Sequence, residues 1–292
     1  MHLFCPNCEL LPDYVSDCRK IVRHGVFYRT SDSRSIERYR CLDCKKTFSK
    51  ATKDPCFLQK KRQKNNLLFE LLGSGVSQRR AARLLRINRT TVARRLIFFG
   101  EKARQELFMQ TASSKVTEME FDDLETIEHS KFKPVSIALA VEARTRRILG
   151  FRVASMPAKG LLAKKSLEKY GPRKDERSQR RKELFQELHT VLAEGALIRS
   201  DSNPYYRNDV ENFFPHCKYI QVLGVRGAVT GQGELKKTVF DPIFSLNHTC
   251  ASFRANVARL IRKTWCTTKK IERLADHLAI YAVYHNQHLK PA

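Results

Sequence analysis

The chain has 292 residues, of which 42% are hydrophobic, and its 55 Lys and Arg outnumber 30 Asp and Glu to give a formal net charge of +25. This length allows two domains, or one domain with appendages. No apolar run approaches the roughly 18 residues of a membrane-spanning helix, and the first residues, MHLFCPNCEL, lack the pattern of a secretory signal. We therefore expect no membrane partner. The charge predicts a polyanionic partner, with nucleic acid ahead of an acidic membrane.

The basic residues are densest near the N-terminus. Residues 1–110 contain 24 basic and 10 acidic residues, a net charge of +14, which leaves +11 for the longer remainder. Nine cysteines in a chain without a signal favour a reducing compartment, where thiols bind metal or pack. We expect a cytoplasmic protein.

Two CxxC motifs, CPNC and CLDC, are separated by 32 residues. Each motif can present two thiolates to one ion, and two such knuckles complete a closed tetrahedral site. The segments RHGVFYRT and SIERYRC between them alternate as a hairpin does. The alternatives are a coincidental pair of motifs or a redox pair. We predict a zinc ribbon over residues 1–59 with structural Zn²⁺ on four thiols: Cys5, Cys8, Cys41 and Cys44.

A helix-turn-helix domain is predicted over residues 60–110. Ser77 is a good N-cap for a helix over Gln78–Leu85, the Ile87-Asn88 pair forms the turn, and a second helix begins at Arg89 or Thr90. In this layout the second helix enters the major groove. The alternative is a solvated basic face on an ordinary helical hairpin. The side chains predicted to reach bases or phosphates are Arg89, Thr90, Thr91, Arg94 and Arg95.

The pattern changes after residues 111–114, which look like a domain boundary. Strands are expected at 116–125, 135–141, 148–154, 197–200 and 219–223. Turns are expected at 131–134 and 142–147, an irregular stretch at 159–181, and a helix at 182–193. This order predicts a mixed sheet covered by helices over residues 115–292. The fold class is α+β multidomain.

Aspartates stand on or after two of these strands. Asp201 follows the strand 197–200 directly and precedes Asn203-Pro204, which breaks regular structure. On the first strand, alternation places Asp123 on the face of Met119 and Phe121, and Asp122 on the opposite face. Alternation alone leaves open which face is functional, and a strand-end aspartate is often a turn former or cap.

Several segments resemble the DDE-class transposases of insertion sequences. They are YRCLDCKKTFSK, the helix-turn-helix segment, EFDDLETIEH, RSDSNPYY and the tail over residues 245–286. The resemblance implies a ribonuclease-H-like catalytic domain whose first strand carries one metal-binding aspartate and whose fourth strand ends in another. It favours Asp122 over Asp123, which would then be a cap or turn residue. It also implies two catalytic Mg²⁺ ions, double-stranded DNA as transposon ends and target, and a homo-oligomer assembled on DNA.

The family's third acidic residue, usually Glu on a late helix, is replaced in this chain. In the family a basic residue lies seven positions after this Glu, and the resemblance matches Arg254 to it, which makes Asn247 the replacement. Asn247 shares a helical face with Arg254, whereas His248 points away from the predicted core. Subsets of the family carry Asn or His at this position. An alternative is that Asn247 only caps the helix. Other carboxylates remain possible donors: Glu211, Glu234 and Asp241.

The sequence thus predicts a transposase that binds the terminal inverted repeats of its own element and catalyses metal-dependent cleavage and strand transfer. Asp122, Asp201 and Asn247 would form its catalytic and Mg²⁺-binding site, and Arg254 and Lys263 would contact DNA. The Asn at position 247 favours the alternative of a sequence-specific DNA-binding regulator or an inactive transposase relic. A zinc-ribbon RNA-binding protein has little support, because no base-stacking motif is visible.

Overall fold

The structure is a computed structural model, and it describes residues 4–8, 20–30, 33–113, 115–223, 241–260 and 266–288. The chain divides into two compact units, residues 1–66 and 67–292. The protein is α+β. It has an N-terminal cluster of cysteines and a mixed five-stranded sheet, an architecture compatible with a zinc ribbon plus an α/β domain.

The first unit contains a three-stranded antiparallel sheet. Its strands are β1 (Ile21–Arg29), β2 (Arg34–Cys41) and β3 (Thr47–Phe48). β1 and β2 form the hairpin that the alternating segments predicted, with an irregular register between Arg23 and Val26, where Gly25 has a φ of 79°. Glycine takes this left-handed conformation at no steric cost. β2 therefore delivers Cys41 to its far end.

The second unit begins with three helices: α1 (Asn65–Gly73), α2 (Gln78–Leu85) and α3 (Arg89–Ala112). The Ser77 side chain accepts a hydrogen bond from the backbone of Arg80, as a predicted N-cap should. Asn88 caps α3 in the same way by accepting from the backbone N–H of Thr90 at 2.8 Å. Local side-chain chemistry therefore sets the beginnings of both α2 and α3.

Five strands form the sheet of the second unit in the spatial order β6-β5-β4-β7-β8. β4 pairs antiparallel with β5, which pairs antiparallel with β6, whereas β7 and β8 run parallel to β4. β4 is therefore central and has an antiparallel neighbour on one side and a parallel one on the other. The strands are β4 (Val116–Glu128), β5 (Ser130–Glu142), β6 (Ile148–Ser155), β7 (Leu192–Asp201) and β8 (Lys218–Val222).

Helices connect the later strands and complete the chain: α4 (Ala163–Tyr170), α5 (Arg177–Leu188), α6 (Pro204–Phe213), α7 (Phe244–Asn256) and α8 (Ile271–His288). The expectation of an irregular stretch over 159–181 is wrong, because it contains α4 and the start of α5. The expected turn at 131–134 is also wrong. The chain reverses at His129, where φ is 46°, and Pro134 pairs with Ile127 within the sheet.

Both faces of the five-stranded sheet are covered by apolar layers. On one face α5 and α6 pack against Met119 and Phe121, and on the other α7 and α8 pack with the residues of α1 to α3 around Leu124. The helices over 67–112 thus share a core with the sheet. α3 and α8 approach closely at Gly100, where an added Cβ would lie 2.6 Å from the Cα of Asp276.

Candidate metal centre and carboxylate site

The four cysteines of the two CxxC motifs converge in the first unit. Their sulfur atoms all lie within 4.8 Å of one another. The Sγ atoms of Cys5 and Cys44 are 3.5 Å apart, and those of Cys8 and Cys41 are 3.8 Å apart. A tetrahedral zinc site with bonds of about 2.3 Å requires sulfur separations of ~3.8 Å. The cluster therefore fits a metal ion such as zinc.

The turn between β2 and β3 shapes one side of this cluster. A hydrogen bond from the backbone of Lys46 lowers the pKa of the Cys44 thiol to about 7, whereas burial and the neighbouring thiols raise the pKa of Cys8 to about 12. A bound metal would therefore have to displace the Cys8 proton. The Lys46 ammonium also donates to the side chain of Asn7 at 2.6 Å, which links the two knuckles. Phe48 packs against the cysteines and closes the core of the unit.

Asp122 and Asp201 are neighbours across the parallel strands β4 and β7. Phe121 pairs with Ser200 in the register of these strands, so the next residue on each strand is an aspartate. Directly adjacent residues of a parallel pair project from the same face of the sheet. Burial raises the pKa of Asp122 to about 7, and the negative charge of Asp201 adds to this rise. The structure therefore brings together two of the three predicted catalytic residues.

The Asp122 carboxylate is held by two donors. The Tyr206 hydroxyl donates to its Oδ1 at 3.0 Å, and the backbone N–H of Asp123 donates to the same oxygen at 2.6 Å. Tyr206 is fully buried on α6, and its ring packs 4.9 Å from that of Phe121. The side chain of Asp122 is thus oriented by a residue that the packing holds in place.

Asp201 is fixed by the beginning of α6. Its Oδ1 accepts a hydrogen bond from the backbone of Asn203 at 3.1 Å, and the Asn203 side chain caps the helix by accepting from Tyr205. Pro204 occupies the first helical position, where its lack of an N–H costs nothing. The Asn-Pro pair predicted as a break is the start of a helix that locks the end of β7.

Asp123 faces a buried cation rather than a cap or turn, which corrects the role expected for it. It lies within β4, and its Oδ2 is 3.6 Å from the guanidinium of Arg181 on α5. Nε and Nη2 of Arg181 both donate to Oδ2 of Asp209, the former at 2.9 Å, and the guanidinium lies 4.8 Å from the ring centroid of Tyr206. A buried ion-pair network therefore lies behind the two aspartates. Sequence reasoning missed Arg181, Asp209 and Tyr206, which carry no local motif.

Asn247 lies on α7, and its side-chain amide donates to the Asp241 carboxylate at 2.8 Å. α7 is anchored to the face of β4 that bears Asp122, because the backbone of Leu246 donates to Glu120 Oε2 at 2.8 Å. One turn later, burial raises the pKa of the Cys250 thiol to about 12, with a contribution from Asp122. The role of Asn247 as third ligand stays a prediction.

The other carboxylates considered for the third position have different settings. Glu211 is exposed on α6, where it pairs with Arg207 at 3.7 Å, Asp241 is the partner of Asn247, and Glu234 lies outside the described residues. Within the part of the chain that the structure describes, a group of three or more acidic, His or Cys side chains close enough to share an ion occurs only at the four cysteines. Among these residues, Asp122 and Asp201 therefore have no third acidic, His or Cys side chain close enough to share an ion with them.

Comparisons of the sequence with protein-family models and with curated proteins returned no match. Among the described residues, no helix is both long and apolar enough to cross a membrane.

The predicted DNA-contacting residues of α3 differ in exposure. Arg89, Thr90 and Arg94 are exposed, and Thr91 is partly buried. Arg95 is only 7% exposed, so the expectation that it is available to DNA is not met. It falls on the inward face of α3 with Val92, Leu96 and Phe99, at the helical spacing of three and four residues. Residue type suggested a contact that helical position does not allow.

The basic residues after the predicted third ligand also differ in their settings. Arg254 is exposed near the end of α7, whereas Lys263 lies outside the described residues. α7 ends before Val257, which is extended, and a short 3-10 turn follows it. Burial lowers the pKa of Arg259 in that turn.

Proposed function

We propose that this chain is a DNA transposase that recognises the ends of its own element. Its active site, formed by Asp122 and Asp201, would cleave and join phosphodiester bonds of DNA. The single observation that carries the proposal is the meeting of these two aspartates on adjacent parallel strands of a central sheet. Strand pairing holds the two carboxylates at a fixed separation, as a site for phosphoryl transfer requires.

A ribonuclease-H-like fold is part of the proposal, and the order of elements supports it. Three consecutive antiparallel strands, β4 to β6, precede the helices α4 and α5, and the parallel strands β7 and β8 follow. Asp122 lies on the first of the five strands and Asp201 at the end of the fourth. This is the arrangement that the resemblance implies for the catalytic domain of such transposases.

The donor set of the site suits a divalent cation such as Mg²⁺, which prefers carboxylate oxygens. Burial raises the pKa of Asp122, and repulsion from the neighbouring Asp201 carboxylate raises it further. A bound cation would relieve that repulsion. Asp122 and Asp201 would hold the metal, with Asn247 as the proposed third ligand. When bound, two such ions supply Lewis-acid chemistry for in-line attack on a phosphodiester.

The protein's own groups orient this chemistry. Tyr206 aims the Asp122 carboxylate through its hydroxyl hydrogen bond, and the cap of α6 fixes Asp201. The buried pair of Arg181 and Asp209 holds the ring of Tyr206 from behind. These residues are positioning residues, since their contacts are with the carboxylates rather than with a substrate.

DNA recognition is assigned to the exposed N-terminal turn of α3 and to the cysteine unit. Arg89, Thr90 and Arg94 project from a helix that is preceded by α2 and a short turn, as a recognition helix is. A net charge of +25 supports binding to a polyanion of any sequence. The helix-turn-helix would add sequence preference for terminal repeats.

A second candidate is a DNA-binding regulator that keeps the fold without cleavage. One observation favours it: Asn247 donates to Asp241, and the described carboxylates near Asp122 form a pair rather than a group of three. Both candidates predict sequence-specific DNA binding. They differ in whether Asp201 is required for a chemical product.

The two candidates are separated by a strand-transfer assay with the DNA that flanks the gene, in the presence of Mg²⁺ or Mn²⁺. The transposase proposal expects joined product from the wild type, none from Asp201→Asn, and normal product from Glu211→Gln, an exposed carboxylate on α6. Specific DNA binding without product in the wild type supports the regulator. Absence of specific DNA binding overturns both.

A further inference from the structure

A cavity of about 270 Å³ lies between α7, α8 and the turn that joins β5 to β6. It is separate from the carboxylate pair and from the cysteine cluster. None of its lining residues carries a carboxylate, and each offers a polar group. They include Arg146, His248, Ser252, Asn256, Tyr284 and His285.

The imidazoles in the cavity are arranged around Arg146. Its Nη1 donates to Nε2 of His248 at 3.2 Å, which leaves the hydrogen of that neutral ring on Nδ1. Nδ1 of His248 is buried and has no hydrogen-bond partner among the described residues. His285 Nε2 donates to the Arg146 carbonyl at 3.0 Å. The cavity therefore presents the guanidinium of Arg146, and its lining residues include no carboxylate to balance that charge.

The two arginines of the β5–β6 turn differ in their ion pairs. Arg144 and Arg146 have φ angles of 68° and 64°, in the left-handed region that is unfavourable for a residue with a side chain. Arg144 has a local reason to be charged, because it pairs with Glu118 at 2.7 Å. Within the described ranges no carboxylate lies at ion-pair distance from Arg146. Its charge has no such structural partner.

The cavity lies where the helices before the sheet meet the end of α7. The Ser74 hydroxyl donates to that of Tyr284 at 3.1 Å, and a Cβ at Gly75 would lie 3.4 Å from the backbone oxygen of Asn256. Ser74 and Gly75 directly follow α1 and belong to the connection between α1 and α2. The cavity therefore borders this connection as well as the β5–β6 turn.

We propose that the cavity is a phosphate-binding site, with Arg146 as its central donor, and that it takes a phosphate of the DNA backbone. The inference rests on the proposed DNA-binding function. Arginine suits a phosphate because its planar fork donates two parallel hydrogen bonds to one group. The hydroxyls of Ser252 and Tyr284, which line the same cavity, add neutral donors.

The first experimental arm measures DNA affinity of the full chain by fluorescence anisotropy between about 50 and 200 mM salt. The test variant is Arg146→Gly, and the control is Arg144→Gly, which removes the same charge from the same turn and the same φ region. Glycine takes this conformation freely, so both variants should keep the fold. The slope of log K against log salt is negative, and loss of one phosphate contact in Arg146→Gly should reduce its magnitude by about 0.9. Arg144→Gly should keep the wild-type slope.

The second arm uses inorganic phosphate as the probe, in thermal denaturation at matched ionic strength against chloride. Phosphate should raise the Tm of the wild type and of Arg144→Gly more than that of Arg146→Gly, because binding to the folded state stabilises it by mass action. Equal shifts in all three proteins, or equal loss of salt slope in both variants, would overturn the site.

The two arms also separate this site from the proposed function. A selective Tm response to inorganic phosphate in a wild type that binds no DNA supports the phosphate site and overturns DNA as its source, together with the proposed function. Normal DNA binding with unchanged slope and Tm response in Arg146→Gly overturns the site alone.

Discussion

The two compact units are held together by different chemistry. In the first unit, the described buried apolar cluster consists of three cysteines and Phe48. The second unit has apolar layers on both faces of a five-stranded sheet, and its fully buried side chains include Phe121, Phe185 and Phe253. A core as small as the first cannot offset the entropy of folding by burial alone. We therefore expect the first unit to depend on a metal and the second on packing.

The two candidate sites differ in the same way. The thiols come from CxxC knuckles, each of which is a local structure, whereas Asp122 and Asp201 meet through the pairing of strands that are distant in sequence. Charge also differs between them: a metal ion would be needed to balance four thiolates, whereas a network of buried hydrogen bonds and one arginine surrounds the aspartates. The predictions below test this contrast from the largest expected effect to the smallest.

Removal of the metal should have the largest effect and should be confined to the first unit. Metal binding supplies about 10–16 kcal/mol of apparent folding free energy in comparable small modules. A chelator, or Cys44→Ser, should unfold the chain before residue 67, which limited proteolysis detects as cleavage there with residues 67–292 left resistant.

The matched control for this experiment is Cys56→Ser. Cys56 is a half-buried thiol of the same unit that lies outside the cluster. This variant should bind the same amount of zinc as the wild type. Equal loss of zinc from both variants, or a first unit that resists protease with chelator present, contradicts metal-dependent folding.

Truncation of Arg181 should destabilise the second unit by about 3–5 kcal/mol, because it leaves a buried charge on Asp209 without its partner. Arg181 is 4% exposed. Urea denaturation of Arg181→Met measures the change, and combining it with Asp209→Leu should recover the part due to Asp209, while Asp123 still lacks its cation. The neighbouring Arg180→Met removes an exposed pair with Glu183 and should cost less than about 1 kcal/mol.

Asp122 should make the metal-free protein less stable as pH rises. Its pKa is about 7 in the folded state and about 3.9 when unfolded. Between these values the unfolded state releases a proton that the folded state keeps, so stability falls from pH ~4 to ~7 and then levels off. Asp122→Asn removes this loss and should be more stable than the wild type at pH ~8 by on the order of 4 kcal/mol.

Urea midpoints of the two proteins at pH 5 and pH 8 check this expectation. The advantage of Asp122→Asn should shrink at the lower pH, and Glu211→Gln should show no such pH-dependent difference from the wild type. An advantage that is the same at both pH values would show that burial and the Asp201 charge do not act on Asp122 as described.

Tyr206→Phe should have the smallest effect on stability, about 1 kcal/mol, since it removes one hydrogen bond and keeps the packed ring. The hydroxyl lowers the pKa of Asp122, so its loss should raise that pKa further. Mn²⁺ affinity measured by calorimetry should fall, as it does when a residue that orients a metal ligand is removed. Unchanged affinity would confine Tyr206 to a packing role.

The sequence by itself determined the features that depend on near neighbours. The CxxC spacing predicted the cysteine cluster, alternation predicted the hairpin of the first unit and placed Asp122 opposite Met119 and Phe121, and Ser77 marked the start of α2. Each of these depends on covalent spacing or on a side chain bonding its own backbone within a few residues. Such interactions are formed whatever the rest of the chain does.

Tertiary structure alone decided which distant groups meet. The helices within 159–181, the burial of Arg95, the bond from Asn247 to Asp241 and the network behind Asp123 carry no local signal. They arise because helices cover the faces of a sheet whose strands pair across long stretches of sequence, and a charged side chain caught in that packing must find a partner. The composition of the aspartate site is therefore readable from sequence only in part, and its surroundings only from the fold.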